Sequence, residues 1–206
     1  MKRNFRLAGL CAGLLVAGTL GGCAAVVVGS AVGTAMVVTD RRTAGTQLED
    51  QNIELKALTR VRESVGDRGH VNTTSYNRQV LLTGEVQTDA DRAAVEQAIG
   101  RIENVRSIVN ELSVSGASSL TSRSNDVILT SKIKASLIDA KDLQAGAIKV
   151  VTERAVVYLM GRVTEREANR ASDLARGVPG VQKVVKVFEN LTEAELANLQ
   201  PKPATK

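Results

Sequence analysis

The sequence predicts an α+β protein made of two tandem copies of a small αββαβ domain, each a mixed three-stranded sheet packed against two helices. The first observation is an internal repeat, in which residues 80–86 match residues 157–163 at a constant offset. The second is that residues 102–109 match residues 178–185 after a shift of one position. Self-similarity of this kind indicates a duplicated structural unit. A Gly/Ser-rich run at residues 115–119 separates the copies, as expected of a linker.

Within each copy the hydrophobic pattern changes in the same order. A helical pattern comes first, at residues 50–65 and 125–140, with Asp50 and either Asn125 or Asp126 as the expected N-caps. Two β-rich runs joined by a tight polar turn follow, then an alanine-rich helix and a last strand. The expected strands are residues 71–75, 79–86 and 105–114 in the first copy and 148–152, 155–163 and 181–189 in the second. The expected second helices are residues 88–100 and 164–176.

Two glycines occupy equivalent places in the repeat. Gly84 and Gly161 lie where a strand is expected to end. A glycine there relieves a bend or a close backbone contact, so we predict a structural role for both and not phosphate binding.

The amino terminus has the pattern of an export signal. Three basic residues precede an uncharged apolar run over residues 7–20, which closes on Leu20-Gly21-Gly22-Cys23. This ending resembles the motif cleaved by the bacterial lipoprotein signal peptidase, and it predicts that Cys23 carries lipid. The alternative is one longer anchor helix over residues 7–38, because no charged residue follows the run until Asp40.

These patterns together give the domain organisation. The expected segments are a signal peptide (1–22), a lipidated cysteine with its tether (23–46), a first domain (47–114), a linker (115–124), a second domain (125–190) and a C-terminal tail (191–206).

Composition argues against several classes of function. The chain is 43% hydrophobic and 24% charged, but only 2% aromatic and without tryptophan, so its cores must be aliphatic. It has 27 basic and 22 acidic residues, and three of the basic ones fall in the predicted signal. Because no clustered basic face remains, we predict no nucleic-acid partner. His70 is the only histidine, so we predict no metal site, no cofactor and no catalytic residues.

The first helix of the second copy has two apolar faces. Leu129, Ile133, Leu137 and Ala140 share one sector, which suffices to pack the helix on its sheet. The opposite sector holds further apolar residues, flanked by lysines, as expected of a helix lying on an anionic bilayer. The predicted phospholipid-binding residues are Val127, Ile128, Lys132, Lys134, Ala135, Ile138 and Lys141.

The matching helix of the first copy is expected to be one-sided. Its apolar residues, among them Ile53, Ala57 and Leu58, share one broad sector, and only Leu55 is apolar opposite them. We therefore predict that the second domain binds lipid and that the first positions it. The alternative is that the spare apolar face of the second copy packs against the first domain or the linker, or docks a partner protein.

The order of elements, with a strand, a glycine, a valine and then a helix in both copies, resembles the BON domain. With the lipoprotein motif before two such copies, the chain resembles dual BON-domain lipoproteins of the bacterial outer membrane. The resemblance implies a location facing the periplasm, contact of the second domain with anionic phospholipid such as phosphatidylglycerol or cardiolipin, and a role in envelope integrity. It also implies association with the outer-membrane protein assembly machinery or the division site. Ile128 stands where the enterobacterial members have an aromatic residue, so weaker binding is expected.

Overall fold

The computed structural model describes residues 40–199. The predicted signal peptide, Cys23 and the alternative anchor helix lie outside these residues. None of the helices within residues 40–199 is both long and apolar enough to cross a bilayer.

The two predicted copies are both present, and the α+β fold class is confirmed. The first copy comprises α1 (Ala44–Val65), β1 (Gly69–Tyr76), β2 (Gln79–Val86), α2 (Asp89–Gly100), β3 (Ser107–Asn110) and β4 (Ser113–Val114). The second comprises α3 (Leu120–Asp139), β5 (Ile148–Glu153), β6 (Val156–Thr164), α4 (Glu165–Arg176) and β7 (Lys183–Leu191). A short helix that the sequence did not predict, α5 (Glu193–Leu199), follows and buries Leu196.

Each sheet is mixed, with the long central strand paired on both sides. In the first copy β2 pairs antiparallel with β1 and parallel with β3 and β4, and in the second β6 pairs antiparallel with β5 and parallel with β7. The last strand of the first copy was predicted as one segment over residues 105–114. It is instead interrupted between Asn110 and Ser113, where the side chain of Leu112 is buried in the core.

Two-residue turns join the first two strands of each copy. Asn77 and Arg78 have φ of 51° and 65°, and Arg154 and Ala155 have φ of 50° and 60°. Positive φ at both central residues is the type I′ geometry, which matches the right-handed twist of the flanking strands. The predicted hairpins are therefore confirmed, with their turns at residues 77–78 and 154–155.

The predicted N-caps are wrong. Thr43 caps α1 and Ser119 caps α3, each by accepting a hydrogen bond from a backbone N–H three residues on, so both helices begin earlier than predicted. Asp50 and Asp126 lie buried inside these helices, where they bind the hairpin turns instead. Asp126 accepts the backbone N–H groups of Arg154 and Ala155, both at 2.8 Å, and Asp50 accepts those of the turn at residues 77–78.

The two sheets pack against each other, with their helices on the outside. The helix-facing side of each sheet forms a separate aliphatic core. On the other side, Tyr76 and Leu81 of the first copy meet Tyr158, Met160 and Val187 of the second. The central strands are thus buried on both faces, which explains why they are almost continuously apolar.

Candidate functional site

The outer face of α3 is exposed to solvent. Val127, Ile128 and Ile138 are 67%, 51% and 70% exposed, and Ala135 is exposed beside them. Leu120, which lies before the predicted start of the helix, extends the same stripe by two turns. The alternative that this face packs against the first domain is therefore wrong.

The opposite side of α3 packs against the core of the second domain, as the periodicity predicts. Leu129, Ile133 and Leu137 are buried in the core of the second domain, and Ala140 is buried just after the helix ends. The helix consequently needs only one of its two apolar faces to pack.

The basic residues of α3, and Lys141 just after it, have no acidic partners among residues 40–199. Lys132, Lys134 and Lys141 are exposed, and neither they nor Arg123 come within 4.0 Å of a carboxylate oxygen in that range. An ammonium that is free of internal ion pairs keeps its full charge available to an anionic surface.

The prediction that α1 is one-sided is wrong. Leu58, assigned to its packing sector, is 61% exposed, and Leu48 and Leu55 are similarly exposed. The sheet covers only part of the wide apolar sector of α1, so Leu58 stays exposed. The two helices differ in charge pairing, because two of the three basic side chains of α1, Lys56 and Arg60, form ion pairs with Glu103 and Glu63.

The predicted glycines are required by close backbone contact. They lie inside β2 and β6, not at strand ends. A Cβ at Gly84 would be 2.0 Å from the carbonyl oxygen of His70, and one at Gly161 would be 2.4 Å from that of Ala147. Gly84 also has a φ of 115°, which other residues rarely adopt.

Comparison with known proteins decides the family. Residues 49–116 and 125–190 both match the BON domain. The chain belongs to the BON domain family. The two matches follow the two copies of the fold, so this is a tandem BON-domain protein.

Three relatives match most of the chain. The chain is 39% identical to "Outer membrane lipoprotein DolP" of Haemophilus influenzae, over 84% of this chain and 90% of the relative. It is 31% identical to "21 kDa hemolysin" of Actinobacillus pleuropneumoniae, over 72% of this chain and 78% of that relative. It is 28% identical to "Osmotically-inducible protein Y" of Escherichia coli, over 68% of this chain and 72% of that relative. This BON protein is accordingly lipid-anchored in the outer membrane.

Arginines that precede α1 join the two BON domains. Arg41 donates to both carboxylate oxygens of Glu167 in the second BON domain, each at 2.7 Å. Arg42 donates to Asp50 in the first BON domain at 2.8 Å, and its guanidinium lies 4.1 Å from the ring centroid of Tyr76. Burial raises the pKa of Tyr76 to about 12, with Arg42 opposing the shift. The segment that leads in from the predicted tether is therefore fixed to both domains.

Further ion pairs cross the same seam. Arg106 of the first BON domain pairs with Glu189 of the second at 2.7 Å, and Lys149 pairs with Glu54 at 3.0 Å. The seam holds the two BON domains in one orientation, which leaves α1 and α3 on opposite outer surfaces.

His70 lies beside this seam. Its Nε2 is 3.3 Å from Asn72 Nδ2, which donates to Glu153 at 2.9 Å. Burial, with the nearby charge of Glu85, raises the pKa of Glu153, although the hydrogen bond from Asn72 opposes the shift. In the part of the chain that the structure describes, no three His, Cys, Asp or Glu side chains converge as a metal site would require. That the protein has no catalytic chemistry stays a prediction.

Proposed function

We propose that this protein is a non-enzymatic lipoprotein that faces the periplasm, is anchored through Cys23, and lays α3 of its second BON domain on anionic phospholipid. One observation carries the proposal: the stripe of Val127, Ile128 and Ile138 is exposed, and the lysines beside it have no acidic partner among residues 40–199. Burying one such side chain contributes about 1.5–3 kcal/mol, and each nearby lysine adds about 1 kcal/mol on an anionic surface. A role in envelope integrity follows from holding an anchored module against the bilayer.

The amphipathic arrangement favours a membrane over other surfaces. Apolar side chains occupy the middle of the outer face, and Lys132 and Lys134 lie on its two edges. In that position the lysine ammonium groups reach lipid phosphates while the apolar side chains enter the acyl boundary.

We test this with vesicle co-sedimentation of the chain without its predicted signal, residues 23–206, carrying Cys23→Ser, so that neither acyl chains nor the apolar signal dominates binding. Wild-type α3 is expected to bind vesicles containing phosphatidylglycerol or cardiolipin and to release them as salt rises. Ile128→Glu or Lys134→Glu is expected to weaken binding about tenfold or more, since each removes over about 1.4 kcal/mol.

Leu58→Glu is the matched control, because Leu58 is as exposed as these residues but lies on α1. It should bind vesicles like the wild type. If the wild type does not bind, or if the α3 variants bind unchanged, the outer face of α3 serves a protein partner, such as the envelope assembly or division machinery, and the lipid proposal fails.

Anchoring through Cys23 has its own test. In cells, Cys23→Ser is expected to abolish lipid attachment, because the acyl chains are carried by that side chain and by the amino group that cleavage before it exposes. Cys11→Ser should leave attachment unchanged. A Cys23→Ser chain that still carries lipid would show that the anchor lies elsewhere.

A further inference from the structure

A buried carboxylate of the first BON domain has no hydrogen-bond partner in the part of the chain that the structure describes. Glu85 lies on β2 and is only 1% exposed, and neither of its carboxylate oxygens accepts a hydrogen bond within residues 40–199. It lines a cavity of about 160 Å³, which residues 115–117 of the linker also line. A carboxylate is costly to keep charged in such a place, because burial removes its hydration and no donor replaces the lost water.

The charged groups nearest to Glu85 come from both BON domains. His70 on β1 is directly opposite Glu85 in the strand register, so the two side chains are neighbours on the same face of the sheet. From the second domain, Arg154 Nη1 lies 3.7 Å from Glu85 Oε1, but it donates its hydrogen bond to Ser115 Oγ at 2.6 Å. Glu153 of the second domain is close enough for its pKa, which burial raises, to be raised further by the charge of Glu85.

Four further charged residues surround this cluster, namely Asp67, Arg68, Glu111 and Asp126. Asp67 is exposed to solvent, Arg68 pairs with Asp91 at 3.1 Å, and Asp126 is engaged by the backbone N–H groups of the turn at residues 154–155. Burial raises the pKa of Tyr158, and Glu111 beside it adds to that shift. Glu85 and Glu153 are therefore left to share the single charge of Arg154, with one negative charge in excess while His70 is neutral.

We propose that Glu85, Glu153 and His70 form an acid-strengthened joint between the two BON domains, at which uptake of one proton holds the seam closed more firmly. A proton on either carboxylate or on the imidazole cancels the excess negative charge. The gain is largest while the seam is closed, because water is then excluded from the cluster. When the domains separate, both carboxylates become hydrated, so the closed seam binds the proton more strongly than the open one.

The direction of the pH dependence follows from this difference in proton binding. A group whose pKa is raised in the closed state, as that of Glu153 is, stabilises this state when protonated, and the contribution is lost as the pH rises through the raised value. A histidine can add to the effect, since imidazole side chains gain their charge between about pH 8 and pH 5. Despite burial, ion pairs with arginines hold the pKa of Glu167 and Glu189 below 4.5, so the other end of the seam stays charged throughout this range.

The test measures how often the seam opens. Residues 23–206 carrying Cys23→Ser have no cysteine, so Thr83→Cys supplies a single thiol. Thr83 is 1% exposed and lies between Leu81 and Glu85 on the face of β2 that packs against the second domain. Its labelling rate by a thiol reagent is divided by that of an exposed thiol, Thr59→Cys on α1, which removes the effect of pH on the thiol itself.

This ratio should fall about tenfold from about pH 7.5 to about pH 5, because a single proton changes an equilibrium by at most about tenfold per pH unit. Met160→Cys, buried on the facing strand β6, is the second reporter should Thr83→Cys disturb the seam. A thiol at Val95, in the helix-side core of the first domain, separates opening of the seam from unfolding of the domain. Its labelling should not follow the same pH dependence.

Variants of the cluster identify the groups that respond. Glu85→Gln should lower the ratio at about pH 7.5 to the value that the wild type reaches in acid, and should flatten the pH dependence. Glu153→Gln is the second variant should the first fail to fold. Glu103→Gln, an exposed carboxylate away from the seam, should keep the full wild-type dependence.

Two results would overturn the acid-strengthened joint. One is a seam that opens equally often, or more often, at about pH 5 than at about pH 7.5. The other is a Glu85→Gln chain that keeps the full pH dependence of the wild type. Neither result bears on the contact of α3 with the membrane, which is measured separately on vesicles.

Discussion

Replacing Arg41 by methionine should lower the free energy of unfolding by about 3–5 kcal/mol. The side chains of Arg41 and Glu167 are only 6% and 5% exposed, so the change leaves a buried carboxylate without its counter-ion. Glu167 would keep its bond from the backbone N–H of Thr164, but its Oε1 would lose the one hydrogen bond that it accepts within the described part of the chain. Equilibrium unfolding in urea measures the loss.

An exposed ion pair provides the control for Arg41→Met. Arg176 and Asp173 also approach to 2.7 Å, but their side chains are 53% and 68% exposed. Arg176→Met should therefore change stability by less than about 1 kcal/mol. Equal effects of the two substitutions would show that Arg41 does not join the domains.

The effect of Arg41→Met should also depend on pH. Burial acts to raise the pKa of Glu167, but the hydrogen bonds and charge of Arg41 outweigh it and hold that pKa below its usual value of 4.5. A carboxyl with a lowered pKa in the folded state stabilises the protein above its unfolded pKa and loses this contribution as the pH falls through the folded value. The difference between wild type and Arg41→Met should shrink below about pH 4.5.

Gly84→Ala is the second substitution expected to have a large effect, of about 4 kcal/mol or more. The added methyl would fall 2.0 Å from the backbone carbonyl oxygen of His70, which cannot move without separating β1 from β2. The φ of 115° adds strain of its own. Thermal unfolding of the full chain measures the change, with about 2–4 °C expected for each kcal/mol.

Substitutions at two further glycines serve as controls for the stability change of Gly84→Ala. Gly161→Ala has a contact of 2.4 Å but no positive φ, so it should destabilise less than Gly84→Ala. Gly116→Ala meets nothing within 4 Å and should be neutral or slightly stabilising. A Gly84→Ala chain as stable as Gly116→Ala would contradict the strand contact.

The repeat and the periodicity predicted the fold because both depend on local pattern. Central strands buried on two faces produce continuous apolar runs, and each hairpin turn interrupts the apolar pattern with polar or charged residues, Asn77 and Arg78 in the first copy and Arg154 in the second. The same periodicity correctly assigned the packing side of α3, where Ile133 and Leu137 lie on one face.

The features that the sequence did not predict depend on contacts between residues that are far apart along the chain. Asp50 and Asp126 resemble N-caps locally, but each binds a turn more than 25 residues away. Nothing near Arg41 indicates a partner at Glu167. The exposure of Leu58 was missed because periodicity gives the direction of a side chain and not how far the sheet extends beneath it.

The proposed contact of α3 with the membrane is tested most directly by measuring whether its outer face enters the bilayer. The chain has only two cysteines, so with both replaced a single nitroxide can be placed at Ile138 or, for comparison, at Leu58 on α1. On phosphatidylglycerol vesicles, the label at 138 should become more accessible to oxygen and less accessible to a water-soluble nickel complex, while the label at 58 stays water-exposed. If the label at 138 stays as water-exposed as that at 58 on bound protein, α3 does not contact the membrane.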